Sequence, residues 1–120
     1  MADPCRGEVW LADLETGRGR EPSGQRPVLV LSIDGFNAGP AELLVVVPFT
    51  SKTAKTAKSK NIPAHVRVDP PEGGLKTPSV LLCDQVRAMS KDRLGKGPWG
   101  TVSGATLAKV ENAVRVLLGL

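Results

Sequence analysis

Two stretches say most about how this chain folds: QRPVLVLS at Gln25–Ser32 and VVVPFTS at Val45–Ser51. Each is a run of apolar residues that favour β-strands, with a polar side chain at one end: Arg26 before the first run and Thr50 after the second. Strands hold such side chains at a defined position better than loops do. Because a guanidinium beside a hydroxyl is suited to binding a phosphate, these two residues are the first candidates for a functional site.

The composition is that of a folded, strand-rich protein. The chain has 120 residues and a mass of 12.6 kDa, which fits one domain over residues 1–120 with a single hydrophobic core. Its apolar share of 41% predicts a folded rather than a disordered chain. The 13 glycines and 10 prolines predict many turns, which are typical of β-rich folds.

Charge and aromatic content narrow the class of partner. A net charge of +4 and a pI near 9.4 favour an anionic partner, although mildly basic proteins are common. Proteins that hold single strands by base stacking usually have more aromatic side chains than this chain has. We therefore expect any nucleic acid to be held mainly through its phosphates. The aromatic residues are Trp10, Phe36, Phe49 and Trp99.

Cysteine usage and missing motifs exclude several function classes. Cys5 and Cys83 are far apart and fit no metal-ligand spacing, so we expect free thiols in a reducing cytoplasm. The sequence contains no zinc-spaced cluster, P-loop, dinucleotide fingerprint or Gly-x-Ser-x-Gly elbow. An enzyme with this sequence is expected to work without a metal ion or an organic cofactor. Since we see no signal-peptide pattern and no apolar run of membrane-spanning length, a cytoplasmic location without membrane contact is expected.

Apolar patterning predicts a mainly β fold. Five segments carry strand patterns, and the segments Glu15–Gly24 and Ser51–Lys60 are predicted to be exposed basic loops. The last predicted strand turns polar in its middle, at Asp84 and Gln85. The predicted strands are Gly7–Leu14, Pro27–Ser32, Leu43–Phe49, Ala64–Asp69 and Ser79–Met89.

The C-terminal segment is predicted to be an amphipathic helix. Apolar residues recur at helical spacing from Leu107 to Leu118, Ser103 can cap the start, and Gly119 falls where a helix ends. Its apolar face is expected to pack on the core, with part of it a candidate contact for a second subunit. The chain is thus expected to form a small antiparallel β-barrel or sandwich closed by one helix.

Four short motifs occur in a characteristic order: RGEVW at Arg6–Trp10, RPVLV at Arg26–Val30, VPFTS at Val47–Ser51 and CDQVR at Cys83–Arg87. With this order and spacing, the chain resembles the MazF/PemK (Kid) family of toxin endoribonucleases over residues 6–118. The resemblance implies an SH3-like antiparallel β-barrel of the PemK/CcdB type with a C-terminal helix. It also implies a homodimer that cleaves single-stranded RNA and is neutralised by a small cognate antitoxin of the MazE kind.

The resemblance implies catalytic roles for particular residues. Arg26 matches an arginine that binds the scissile phosphate and stabilises the charge of the transition state. Thr50 matches a hydroxyl that binds a phosphate oxygen or assists proton transfer. Glu21 matches an acidic loop residue that is a base, a partner of Arg26 or simply solvated. Asp84 matches a catalytic aspartate of one branch, but Leu82 stands where that branch has an arginine, so Asp84 is alternatively a structural acid that orients an arginine.

Further side chains are predicted to contact RNA. The lysines that follow Thr50 would lie near any RNA bound there, and each neutralised phosphate adds affinity, although charge runs usually just keep a loop solvated. His65, the only histidine, is expected to be an ordinary surface or edge residue. The predicted RNA-binding residues are Arg18, Arg20, Ser51, Lys52, Lys55, Gln85 and Arg87.

The mechanism that the resemblance implies is a metal-independent transesterification. The 2′-hydroxyl of the nucleotide before the cut attacks the adjacent phosphate, which leaves a 2′,3′-cyclic phosphate and a 5′-hydroxyl. Two alternatives stay open: a CcdB-like toxin that binds DNA gyrase without cutting RNA, and a basic SH3-like binding module without activity. The pair of Arg26 and Thr50 favours the nuclease, since gyrase binding has no need of it.

Overall fold

The computed structural model describes residues 3–15, 18–19, 24–51 and 64–120. Within these ranges the chain is mainly β, with a short helix α1 (Asp34–Asn37) and a C-terminal helix α2 (Gly104–Leu118). Short 3₁₀ turns span Glu72–Gly74, Cys83–Gln85 and Lys91–Arg93. The strands are β1 (Glu8–Asp13), β2 (Gln25–Val30), β3 (Leu43–Thr50), β4 (His65–Val68), β5 (Ser79–Leu82), β6 (Arg87–Ser90) and β7 (Leu94–Thr101).

The strands pair into one antiparallel sheet in the order β4-β5-β3-β2-β1-β7, and β6 pairs with the first half of β3. The mainly β, antiparallel fold is confirmed, but the predicted closure into a barrel is not seen, because β4 and β7 do not pair within the described residues. The composition of β7 suits an edge: Pro98 has no N–H to donate, and Lys96 is exposed.

The hydrophobic core lies on both faces of the sheet. Neighbouring residues of a strand point to opposite faces, so Val28 and Leu29 enter different clusters, as do Val46 and Val47. This explains why β2 and β3 read as continuous apolar runs rather than alternating ones. We call the clusters after one member each. The Val110 cluster includes Val9, Leu29, Val47, Phe49 and Val66; the Trp10 cluster includes Ala12, Val28, Val30, Leu44, Val46 and Met89.

Helix α2 begins and ends at the predicted residues. The Ser103 hydroxyl accepts a hydrogen bond from the backbone N–H of Thr106 at 3.1 Å, and Gly119 adopts the left-handed conformation that ends the helix. Val110 is fully buried against the sheet, whereas Leu117 and Leu118, near the end of the predicted apolar face, are exposed. No helix in the described part of the chain is long and apolar enough to cross a membrane.

Two strand predictions are corrected. The predicted strand Ser79–Met89 is interrupted by the 3₁₀ turn Cys83–Gln85, so it forms β5 and β6, which pair with different halves of β3. Strand β7 was absent from the sequence prediction, because its glycines and Pro98 break any alternating pattern.

Both cysteines are free, as predicted. Cys5 is exposed and Cys83 is buried. Burial raises the pKa of the Cys83 thiol to about 12, with a smaller contribution from the neighbouring Asp84 carboxylate. The Cys83 thiol is therefore a protonated part of the Val110 cluster rather than a nucleophile.

Candidate active site

Arg26 and Thr50 are brought together by the register of β2 and β3. In that register Val28 lies opposite Pro48, so extending it by two residues places Arg26 opposite Thr50. Both positions share the face of Val28 and Val46, which belong to the Trp10 cluster. The sequence therefore puts a cation and a hydroxyl on one face of two rigid neighbouring strands.

The two side chains contact each other directly. The Nη1 of Arg26 donates a hydrogen bond to the Oγ1 of Thr50 at 3.3 Å. Thr50 is only 8% exposed because β3 is flanked by β2 and β5, and Arg26 is half-buried at the start of β2. A guanidinium has further N–H groups beyond the one on Thr50, and these suit the non-bridging oxygens of a phosphate.

A cleft of about 350 Å³ opens at this pair, and we call it the Arg26 cleft. Buried Phe49 and Leu75 line it together with more polar residues. Of the described residues that line it, none is acidic, and two are cationic, Arg26 and Lys76. The cleft can therefore attract and hold a phosphate group. Its other lining residues are Gln25, Pro27, Thr50, Ser51, Thr77, Ser79 and Trp99.

The structure adds several residues that the sequence analysis did not place at the site. Lys76, Thr77 and Ser79 follow the Glu72–Gly74 turn and reach the cleft because β5 pairs with the end of β3. Trp99 reaches it from β7, a strand that the sequence pattern did not predict. Lys76 and Thr77 just before β5, and Ser79 at its first position, carry suitable polar groups, but only the sheet topology brings this segment beside Thr50.

The predicted site residues fall into three groups. Ser51 is exposed and lines the Arg26 cleft with Arg26 and Thr50. Arg18 is exposed, while Gln85 and Arg87 are half-buried and do not line the cleft. Outside the described residues lie Arg20, Glu21, Lys52 and Lys55.

Asp84 is placed away from the cleft. It lies in the 3₁₀ turn after β5, with its carboxylate 3.6 Å from the Nε2 of His65. His65 is on β4, at the edge of the sheet as expected, but its side chain is 9% exposed and its Nδ1 is buried without a hydrogen-bond partner. Asp84 therefore contacts His65, and no ion pair joins it to Arg26 or Arg87 among the described residues.

A second cavity, the helix groove, lies between β4 and α2 and has a volume of about 510 Å³. His65 and Arg67 line it from the strand, and the helix contributes one cation and several apolar side chains. Arg67 donates to the Asp69 carboxylate at 3.1 Å. The helix residues are Lys109, Asn112, Ala113, Val116 and Leu117.

Comparison with known proteins identifies the family. A family model described as "PemK-like, MazF-like toxin of type II toxin-antitoxin system" matches residues 5–118. The chain belongs to this family. Endoribonuclease MazF9 from Mycobacterium tuberculosis is 36% identical over 119 residues, with 96% of each chain covered.

Comparison with solved structures points to the same family. MazF from Deinococcus radiodurans matches with a TM-score of 0.81 and 27% identity, covering 100% of both chains. An endoribonuclease from a mycobacterial species, solved in complex with its cognate antitoxin, matches with a TM-score of 0.74 and 29% identity, covering 98% of this chain and 96% of its own. The predicted family and its class of enzyme, a MazF-type toxin endoribonuclease, are thereby confirmed.

Proposed function

We propose that this MazF-type toxin cleaves single-stranded RNA, mRNA included, at specific sequences and without a metal ion. The observation that carries the proposal is the hydrogen bond between Arg26 and Thr50 at the wall of a cleft whose described lining has no acidic residue. Such a cleft favours an anionic substrate, and the site supplies a fixed positive charge at the point where charge develops.

The reaction is a transesterification within the RNA strand. The 2′-oxygen of the nucleotide before the cut forms a bond to phosphorus, and the bond from phosphorus to the 5′-oxygen of the next nucleotide breaks. The 2′-hydroxyl loses its proton and the leaving 5′-oxygen gains one, so the products are a 2′,3′-cyclic phosphate and a 5′-hydroxyl. No water is consumed in this step.

Arg26 and Thr50 have complementary roles in this step. The Arg26 guanidinium binds the non-bridging oxygens and stabilises the extra negative charge of the transition state. The Thr50 hydroxyl, already hydrogen-bonded to Arg26, orients the phosphate or relays a proton. Glu21 stays the candidate base. Asp84 is a weaker one, since it contacts His65 instead.

The substrate and partners follow from the same chemistry. DNA lacks the 2′-hydroxyl, so it should bind without being cut. A cognate antitoxin of the MazE kind, with an acidic segment that covers the Arg26 cleft, would block RNA by charge complementarity. We also propose that the toxin acts as a homodimer in the cytoplasm, where mRNA is found.

The decisive experiment is cleavage of a mixed-sequence single-stranded RNA in EDTA, with analysis of the new ends. The wild-type protein should cut at specific sites and leave cyclic phosphates. Arg26→Ala should cut about 100- to 1000-fold more slowly, as expected when a donor to the transition state is removed. Arg67→Ala is the matched control, because Arg67 lines the helix groove instead.

Two outcomes would contradict the proposal. Cleavage that survives in Arg26→Ala would remove the Arg26 cleft from the chemistry. A wild-type protein that cuts no RNA yet arrests growth would favour the CcdB-like alternative, and supercoiling by DNA gyrase in the presence of the protein would then be the next assay.

A further inference from the structure

Only one aromatic ring is available to a ligand in the Arg26 cleft. The chain has two Trp, two Phe and no Tyr. Trp10 is buried in its cluster, Phe49 is 1% exposed, and Phe36 belongs to α1, outside the cleft. Trp99 is 44% exposed and lines the cleft with Arg26 and Thr50.

The backbone of Trp99 packs closely against the Glu72–Gly74 turn. Gly74 approaches it so closely that a Cβ on Gly74 would lie 2.9 Å from the Cβ of Trp99 and would overlap its carbonyl group. Gly100 packs in the same way, since a Cβ there would lie 2.8 Å from the backbone nitrogen of Gly74. On its other side, β7 pairs with β1, with Pro98 opposite Trp10. The glycine contacts therefore hold the strand while the indole stays exposed.

An exposed tryptophan alone is ordinary, but the surroundings of Trp99 are specific. It stands in a cleft whose charged lining residues, among those that the structure describes, are the cations Arg26 and Lys76. Cations bind the phosphates of a single strand, and an aromatic face binds the neighbouring bases. Both kinds of group line the Arg26 cleft.

We infer that the indole of Trp99 is the stacking platform for a base of the bound RNA, close to the phosphate held by Arg26 and Thr50. The inference rests on the proposed function and deepens it. Stacking is tolerant of base identity. Trp99 would therefore supply affinity and fix which phosphate lies at Arg26, while other groups recognise the RNA sequence. The tryptophan is a positioning residue, and its loss should affect KM more than kcat.

The direct test uses tryptophan fluorescence. A 2′-O-methyl RNA matching a site that the wild-type protein cuts cannot react, so its binding can be titrated. The inference expects quenching of the emission, because a stacked base contacts Trp99, while Trp10 is buried. The quenching should be absent in Trp99→Phe and present in Phe36→Ala, which removes the other exposed ring. Binding without quenching would overturn the inference.

A second test separates stacking from a merely structural role. Trp99→Ala should raise KM for the RNA about 10-fold, and Trp99→Phe should restore most of the loss. RNAs with a single abasic site near the cut should reveal one position at which the rise in KM caused by the missing base and the rise caused by Trp99→Ala are not additive. Equal KM values for the wild-type protein and Trp99→Ala would overturn the inference, as would full additivity at every position.

The outcomes also distinguish this inference from the proposed function. If the wild-type protein cuts no RNA, the proposed function fails. If it cuts RNA and Trp99→Ala cuts the same sites with the same KM, only the role of Trp99 fails. Emission of Trp99 that changes with protein concentration but not with RNA would assign the residue to a contact between two copies and overturn the inference.

Discussion

The Arg26 cleft and the helix groove belong to the same chain, and the groove is the larger, about 510 Å³ against about 350 Å³. In the groove, acidic side chains lie close to two of the lining residues: Arg67 donates to Asp69, and the Nε2 of His65 is 3.6 Å from the Asp84 carboxylate. Lys109 adds a cation from the helix. Its helical wall ends in the exposed apolar residues Val116 and Leu117. In the cleft, the described lining contains two cations and no acid. We therefore place the proposed chemistry by the charge of the described lining rather than by the volume of the cavity.

The largest effect that we predict concerns the support of the cleft rather than its charges. Gly74→Ala should destabilise the fold by about 3 kcal/mol or more, because Gly74 has a φ of +74° and its Cβ would overlap the carbonyl of Trp99. Thermal or urea unfolding measures the change. Gly97→Ala, on the same strand as Trp99, is the control: nothing lies within 4 Å of its Cβ, so its stability should stay near that of the wild-type protein. Equal stabilities of the two variants would show that the turn can move away from Trp99 without a cost in stability.

The strands of the sheet differ in how far the sequence predicts them. Strands β2 and β3 were predicted because both of their faces are buried, which leaves unbroken apolar runs. Strand β7 was not, because its glycines serve close backbone contacts instead of a hydrophobic pattern. Close approach between distant segments is a tertiary property that local periodicity does not report.

The residues that line the Arg26 cleft also differ in how far the sequence predicts them. Arg26 and Thr50 stand beside strong apolar runs and lie in motifs that match a known family, so the sequence predicts both as candidates, and the structure places them in direct contact. Lys76 and Trp99 lie in irregular, glycine-rich surroundings and reach the cleft only through the pairing of β5 with β3 and of β7 with β1. Asp84 has a family motif but points to a different partner, His65, since the 3₁₀ turn after β5 carries it there.

A charge-conserving substitution sharpens the contrast between the two arginines. Arg26→Lys should cut RNA about 10- to 100-fold more slowly than the wild-type protein, because an ammonium keeps the charge but loses the planar fork that binds two phosphate oxygens. Arg67→Lys in the helix groove should leave the cleavage rate unchanged. The measurement is kcat on a short RNA with one cut site. Full activity of Arg26→Lys would show that charge alone is enough.

Substitutions of two buried threonines should distinguish an effect on catalysis from an effect on stability. Thr50 and Thr106 are both 8% exposed, but Thr50 accepts a hydrogen bond from Arg26 in the cleft, whereas Thr106 interacts with Ser103 and Glu72 at the start of α2. Thr50→Val should lower the cleavage rate about 10-fold, the loss of one hydrogen bond, and Thr50→Ser should restore it. Thr106→Val should lower the melting temperature and leave kcat unchanged. A Thr50→Val protein with wild-type kcat would remove the hydroxyl from the mechanism.

The smallest effect that we predict concerns Glu72, in the turn that contacts both the wall of the Arg26 cleft and the start of α2. Gly74 of the Glu72–Gly74 turn supports Trp99 at the cleft, and Glu72 binds the start of α2, which forms a wall of the helix groove. The hydrogen bond with Thr106 contributes most to lowering the pKa of the Glu72 carboxyl below its ordinary value of 4.5. The backbone N–H of Ser103 also donates to this carboxylate, at 2.8 Å, and lowers the pKa further.

The sign of the pH dependence follows from that lowered pKa. The folded protein binds this proton more weakly than the unfolded chain, so the carboxylate stabilises the fold fully above the ordinary pKa, and the gain is lost as pH falls through the folded-state pKa. Glu72→Gln should therefore lower the free energy of unfolding at pH 7 by less than about 1 kcal/mol, since solvent screens the carboxylate. The difference should shrink near pH 3, about one unit or more below that ordinary value. It should also shrink in a Thr106→Val background, where the main donor is gone. A difference that stays constant across this pH range would show that the turn is held by packing and not by its charge.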